Sequence, residues 1–255
     1  MGRLIHPLPK ETFQALAKVA TCTSTDASRH VLNGVLFSPG DGGILIATDG
    51  KRLAGAPAKV PCRAFILPNG AAKVLCHPDF LVRDAAIIQP DKSASPVDLR
   101  IQFRSGPLTF FVHTVEGTYP GYKHVIPVHA TAIITVPETR KPALITWLRS
   151  LRGRSESVLF TWETPGHMTL TQMSSDTTTA TLQIPVVIEG QPPAISFAPA
   201  YLADALEIGP ALKFTDALSP GIACDPFGNF CVIMSRRTTI AAPPAAIPAD
   251  TAAAA

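Results

Sequence analysis

Behind Pro9, the apolar residues Phe13, Leu16, Ala17 and Ala20 recur at the spacing of one helix face, which predicts an amphipathic helix over residues 9–20. The polar stretch 21–28 ends it. Two apolar runs, 31–37 and 43–48, flank Ser38-Pro39-Gly40-Asp41-Gly42, the pattern of two strands joined by a turn. A further strand is expected at 64–67, a second helix from Pro68-Asn69 through Val74 and Leu75, and strands at 99–103 and 108–115. Segment 117–122, with its Gly and Pro residues, reads as loop.

The same order then repeats. Pro142 opens a helix carrying Leu144, Trp147, Leu148 and Leu151; strands are expected at 157–162, 167–173 and 178–185, a short helix at 199–206, and closing strands at 213–215, 221–224 and 229–234. Phe13 and Leu16 return as Leu144 and Trp147, 131 residues on, so the repeat has the size of a domain rather than of a solenoid unit. At roughly 150 residues per domain, 255 residues also predict two domains. The boundary is placed in the connector 127–136, giving domains 1–130 and 131–239. Beyond Thr239 the Ala- and Pro-rich segment 240–255 has little side-chain surface to bury and is expected to be a flexible tail.

Composition narrows the class. With 46% hydrophobic and 16% charged residues, 25 Pro and 17 Gly, the chain reads as turn-rich and globular rather than disordered or coiled-coil. No apolar run is long enough for a bilayer-spanning helix and the first residues lack an apolar leader, so a soluble, cytoplasmic protein without membrane partners is expected. Lys+Arg 22 against Asp+Glu 19 leaves only +3, which does not by itself diagnose a nucleic-acid binder. The five cysteines (Cys22, Cys62, Cys76, Cys224, Cys231) form no CxxC and read as reduced thiols.

Chemistry is sparse. His6, His77, His113, His129 and His167 are scattered, Gly40-Asp41-Gly42-Gly43 is a turn rather than a phosphate loop, and Asp49 and Asp204 fit cap or turn roles better than catalysis. No catalytic residue, metal site or cofactor is assigned, and an enzyme is not expected.

More telling is a series of strings in a fixed order: residues 29–37 (RHVLNGVLF), 47–54 (ATDGKRLA), 65–68 (FILP), 116–122 (EGTYPGY) leading to Val125-Ile126-Pro127, 201–206 (YLADAL), Leu218-Ser219-Pro220 and Val232-Ile233-Met234. Together they resemble the bacterial DNA polymerase III beta subunit, the sliding clamp family, over almost the whole chain except the tail. The resemblance implies an α+β DNA-clamp fold of two tandem duplicated domains, each with two helices packed on antiparallel sheets. Family members carry three such domains and dimerise into a six-domain ring around duplex DNA. The strings here correspond to the middle and last domains, and the first is missing.

A clamp holds DNA by topology, so a small net charge is compatible with that function, although helices facing phosphates should be mildly basic. The basic residues that fit are Lys10, Lys18 and Lys73 in the first half and Lys141, Arg149, Arg152 and Arg154 in the second. Arg29 and His30 match the family's loop beside the hole. All of these also fit ordinary solvated charges. The resemblance further implies a hydrophobic pocket that accepts a short peptide from polymerases, the clamp loader or repair proteins. The matching positions are Leu32, Thr48, Gly50, Lys51, Arg52, Leu53, Pro120, His124 and Val125, with Pro220, Val232, Ile233, Met234 and Arg237 from the second half. Several of these would be core or turn residues in any such domain.

Where the family ends Met-Pro-Met-Arg, this chain reads Met234-Ser235-Arg236-Arg237 and continues, which predicts a pocket of altered specificity, partly covered by the tail. Two readings of function follow. One is a clamp subunit that closes a ring as a homo-oligomer, with a trimer of two-domain chains favoured. The other is a module that does not encircle DNA and instead recruits or sequesters clamp-binding proteins.

Overall fold

Each half of the chain runs strand, helix, strands, helix, strands. The computed structural model describes residues 4–61, 63–77, 84–89, 100–105, 107–151, 157–174 and 177–237. Arg152, Arg154, Cys62 and the expected tail lie outside them. The first half comprises β1 (Leu4–Pro7), α1 (Lys10–Ala20), β2 (Gly34–Ser38), β3 (Ile44–Thr48), β4 (Arg52–Pro57), β5 (Phe65–Pro68), α2 (Asn69–Leu75), β6 (Asp84–Gln89), β7 (Arg100–Ser105) and β8 (Leu108–His113). The second comprises β9 (Ala132–Thr135), α3 (Lys141–Ser150), β10 (Ser157–Thr161), β11 (His167–Ser174), β12 (Thr177–Pro185), β13 (Val187–Gly190), β14 (Ile195–Phe197), α4 (Pro199–Ile208), β15 (Ala211–Phe214), β16 (Gly221–Cys224) and β17 (Phe230–Ile233).

Among the described residues, two four-stranded sheets, β1-β6-β7-β8 and β12-β11-β10-β14, accompany a nine-stranded sheet, β13-β9-β15-β16-β17-β4-β3-β2-β5. The long sheet is continuous because β17 pairs antiparallel with β4, setting Val232 opposite Leu53 and Ile233 opposite Arg52. Side-chain alternation then gives the sheet two apolar faces. Val35, Phe37, Leu45, Ala54, Cys231 and Ile233 join the main core together with Leu16 and Val19 of α1 and Leu202 and Leu206 of α4. On the opposite face Leu36, Ile46, Leu53, Ile66 and Val232 form a smaller cluster under the 115–126 segment.

Several elements differ from the expectations drawn from sequence. Val31 and Leu32 fall in a 3-10 segment, Ala27–Leu32, whose start is capped by Asp26 accepting from the Ser28 amide. Strand β4 escapes the apolar pattern because it opens on Arg52, carries Gly55 at its centre and ends on Pro57. The presumed connector 127–136 contains β9, an interior strand of the long sheet. Helix α3 begins at Lys141, with Pro142 within its first turn, where a missing amide donor costs nothing.

Candidate peptide-binding cleft and basic face

The β3–β4 turn is fixed by its own polar side chains. Thr48 Oγ1 donates to the Arg52 carbonyl at 2.6 Å and accepts from the Gly50 amide at 3.1 Å. Asp49 Oδ1 accepts from the Lys51 and Arg52 amides at 2.9 and 3.0 Å. Gly50 sits at φ +87°, where a side chain would be strained, so a glycine is required at this corner. The Met234 amide donates to the Lys51 carbonyl at 3.0 Å, prolonging the β17–β4 ladder to the rim of a cleft.

That cleft has a volume of about 260 Å³ and is lined by Leu32, Thr48, Gly50, Lys51, Arg52, Leu53, Pro120, Gly121, Tyr122, His124, Val125, Val232 and Met234. Leu32, Leu53 and Val232 are buried in its floor, Met234 is 46% exposed at its mouth, and Lys51 and His124 are exposed at the edge. An apolar floor with a lysine and an imidazole at the rim suits an apolar anchor entering from a segment that carries acidic or hydrogen-bond-accepting groups. Gly121 and Tyr122 were not among the residues inferred from sequence, although both lie in the recognised 116–122 string. Three inferred positions fall elsewhere. Ile233 turns into the main core because neighbours along a strand face opposite ways. Pro220 precedes β16 and Arg237 lies exposed past the end of β17, both outside the cleft lining.

Arg52 lines the cleft but spends its guanidinium on the opposite, helix-bearing face. It donates to Asp49 Oδ2 at 3.1 Å, to Asp204 Oδ2 and to the Thr21 carbonyl at 2.8 Å, and lies 4.7 Å from the centre of the Tyr201 ring. Burial works against its charge, but the Cys22 sulfur, Asp204 and Asp49 more than offset that and hold its pKa above the ordinary value. Beside it, the buried thiols of Cys22 and Cys231 share a hydrogen bond, which together with burial pushes Cys231 well up. Asp49 and Asp204, read from sequence as cap or turn residues, are thus also partners in this tie.

The basic residues expected to face DNA divide by environment. Lys10 and Lys73 are exposed and make no ion pair among the described residues. Arg29 and His30 project from the 3-10 segment, with Arg29 Nε 3.7 Å from Asp26. Lys18 pairs with Asp225 at 3.0 Å, Lys141 with Glu138 at 2.8 Å, and Arg149 with Glu207 at 2.7 Å and Asp204 at 3.4 Å. These three therefore present a charge already shared with a carboxylate. Arg152 and Arg154 lie outside the described residues. Among the described residues, no group of three His, Cys, Asp or Glu gathers to hold a metal, and no helix is long and apolar enough to cross a membrane.

Paired helices on one face of a sheet shared by two similar halves, with an apolar cleft on the other face at their seam, define a DNA-clamp fold. Solved sliding clamps share it: the DNA polymerase sliding clamp of Caulobacter crescentus matches with TM-score 0.75 and 25% identity over 93% of this chain and 66% of that one. The Bacillus subtilis clamp matches with TM-score 0.76 and 22% identity over 92% and 64%. Among curated proteins, the chain is similar to the beta sliding clamp of Caulobacter vibrioides, 29% identical over 228 residues covering 85% of this chain and 60% of that protein. It is also similar to that of Chlamydia pneumoniae, 26% identical over 90% and 64%. No family model matches. The resemblance to the bacterial DNA polymerase III beta subunit therefore holds over most of the chain, which spans about three fifths of the length of the relatives it matches.

Proposed function

We propose that the chain is a sliding-clamp subunit that encircles duplex DNA as a homo-oligomeric ring, favoured as a trimer, and tethers polymerase, loader or repair proteins through the cleft. The observation that carries this reading is the cleft itself: residues from both halves converge on it only because β17 is laid beside β4. No catalytic role is needed, since a clamp works by holding rather than by bond chemistry. The two domains are proposed to divide near residue 130, and the cleft spans their seam. Lys10, Lys73, Arg29 and His30 are proposed as the side chains left to meet phosphates, and the carboxylate-paired Lys18, Lys141 and Arg149 contribute less.

That neutralisation favours a second reading, in which the chain binds clamp-binding peptides without enclosing DNA. Native mass spectrometry at micromolar concentration separates the two. A closed species at three times the 27.0 kDa chain mass supports the ring, and a monomer rejects it in favour of the second reading.

A further inference from the structure

Two free thiols, one from each half, meet at the seam on its helix-bearing side. Cys22 follows directly on α1, where its amide donates to the Val19 carbonyl at 2.9 Å, and Cys231 lies on β17 opposite Ala54 of β4. Alternation along β4 turns Arg52 and Ala54 toward the helices, and Cys231 joins them on that face. Helix α1 packs on β4, and the Arg52 guanidinium holds the helix end through the Thr21 carbonyl at 2.8 Å. This brings the Cys22 sulfur against Cys231, close enough to share a hydrogen bond, with both residues fully buried in the main core. Neither thiol lines the peptide cleft or belongs to the basic face.

The two sulfurs differ in character. The hydrogen bond from Cys231 holds the Cys22 pKa below the ordinary thiol value against the opposing effect of burial, and Arg52 and the Thr21 hydroxyl, 3.9 Å from the sulfur, act in the same direction. The Cys231 thiol is pushed well up. A sulfur that favours the thiolate beside one that keeps its proton is the arrangement of a nucleophilic cysteine and its resolving partner. Access comes from the helix-bearing face, where a polar cleft of about 500 Å³ is lined by Thr21, Thr23 and Arg52. Thr21 and Thr23 bracket Cys22 in the chain, so the cleft ends beside this thiol.

We propose that Cys22 and Cys231 are a redox-sensitive pair that hydrogen peroxide, entering by this cleft, converts to a disulfide bonding the two halves across their seam. The Cys22 thiolate attacks one peroxide oxygen and breaks the O–O bond; the other oxygen takes up the proton from Cys22 and leaves as water, and Cys22 becomes a sulfenic acid. The Cys231 sulfur then attacks the Cys22 sulfur, and the S–O bond breaks as the hydroxyl leaves with the Cys231 proton as a second water. Two thiols and one peroxide thus give one disulfide and two waters, the thiols losing the two electrons that reduce the peroxide. The bond joins residues widely separated in sequence, so it restricts the unfolded chain strongly. It also fixes α1 to β17, whose next residue, Val232, lines the peptide cleft. This chemistry is independent of whether the chain encloses DNA.

The reduced full chain, treated with hydrogen peroxide under native conditions, is expected to lose the mass of two hydrogen atoms and to yield a peptide pair joined at Cys22 and Cys231. It should then unfold at a higher urea concentration than the reduced chain, and dithiothreitol should reverse all three changes. An unchanged mass, peptides joined at other cysteines, or oxygen added at Cys22 without a bond to Cys231 overturns the pairing. An unchanged urea midpoint in the cross-linked chain overturns its role in holding the seam. As a second arm, Cys231→Ala removes the resolving thiol and is expected to leave a sulfenic acid at Cys22 that dimedone labels in the folded chain. Labelling of that variant only after unfolding overturns the entry of peroxide by the cleft.

Discussion

Arg52 of β4 and Asp204 of α4 are ion-paired across the seam between the two halves, with side chains only 12% and 20% exposed. The same guanidinium reaches Asp49, the end of α1 at Thr21, and the face of Tyr201. It therefore joins the turn that rims the cleft to helices from both halves. Replacing Arg52 by Ala leaves two carboxylates without their shared cation and is expected to cost about 2–3 kcal/mol in urea unfolding. Arg52→Lys should recover only part of this, because an ammonium neither forks between two carboxylates nor stacks on the tyrosine. Equal stability of all three proteins would contradict the role assigned to this tie.

Lys18 and Asp225 make a second tie between the halves. Burial works against the Asp225 charge, but the Asn229 side chain, Lys18 and the Asn229 amide hold its pKa below the usual carboxylate value. A carboxylate depressed in the folded state stabilises the fold above its unfolded pKa, about 3.9, and that stability is lost as pH falls through the folded value. Lys18→Met should thus lower the urea midpoint at pH 7, and the difference from the unsubstituted chain should shrink and vanish as pH falls through the depressed folded value of Asp225. A gap that persists there would point to lost packing instead.

Gly55 illustrates what the apolar pattern along the chain conceals. A Cβ at Gly55 would collide with the Phe230 ring from the neighbouring strand, so the absence of a side chain here makes room for a residue far away in sequence. Gly55→Val is expected to destabilise the chain by about 1–3 kcal/mol in denaturant unfolding, and an unchanged midpoint would show that Phe230 moves aside freely.

The helices and most strands were legible because their apolar spacing and the prolines that open α3 and α4 act locally. Strands β1, β4, β6, β9, β13 and β14 were not: β4 is broken by Gly and Pro, β9 sits in a Pro-bounded connector, and both gain their place from strands distant in sequence. The cleft residues could be named from the ordered strings. Which way Ile233 faces, and which cations are already paired, depends on packing that no local pattern encodes.

For the cleft, Met234→Asp places a charge at its apolar mouth and is expected to weaken binding of a fluorescent clamp-binding peptide by about tenfold or more in anisotropy titrations. Arg237→Ala, outside the lining, should leave affinity unchanged. If the two variants behave alike, the peptide binds elsewhere.

Enclosure of DNA is tested most directly by retention on linear duplex whose ends are blocked after the protein has threaded on. Electrostatic contacts weaken steeply with salt, whereas a closed ring is held by topology. The protein is expected to stay on the blocked duplex through a wash at about 1 M salt and to be released when a restriction enzyme cuts between the blocks. Loss in the salt wash while both ends remain blocked would contradict the account.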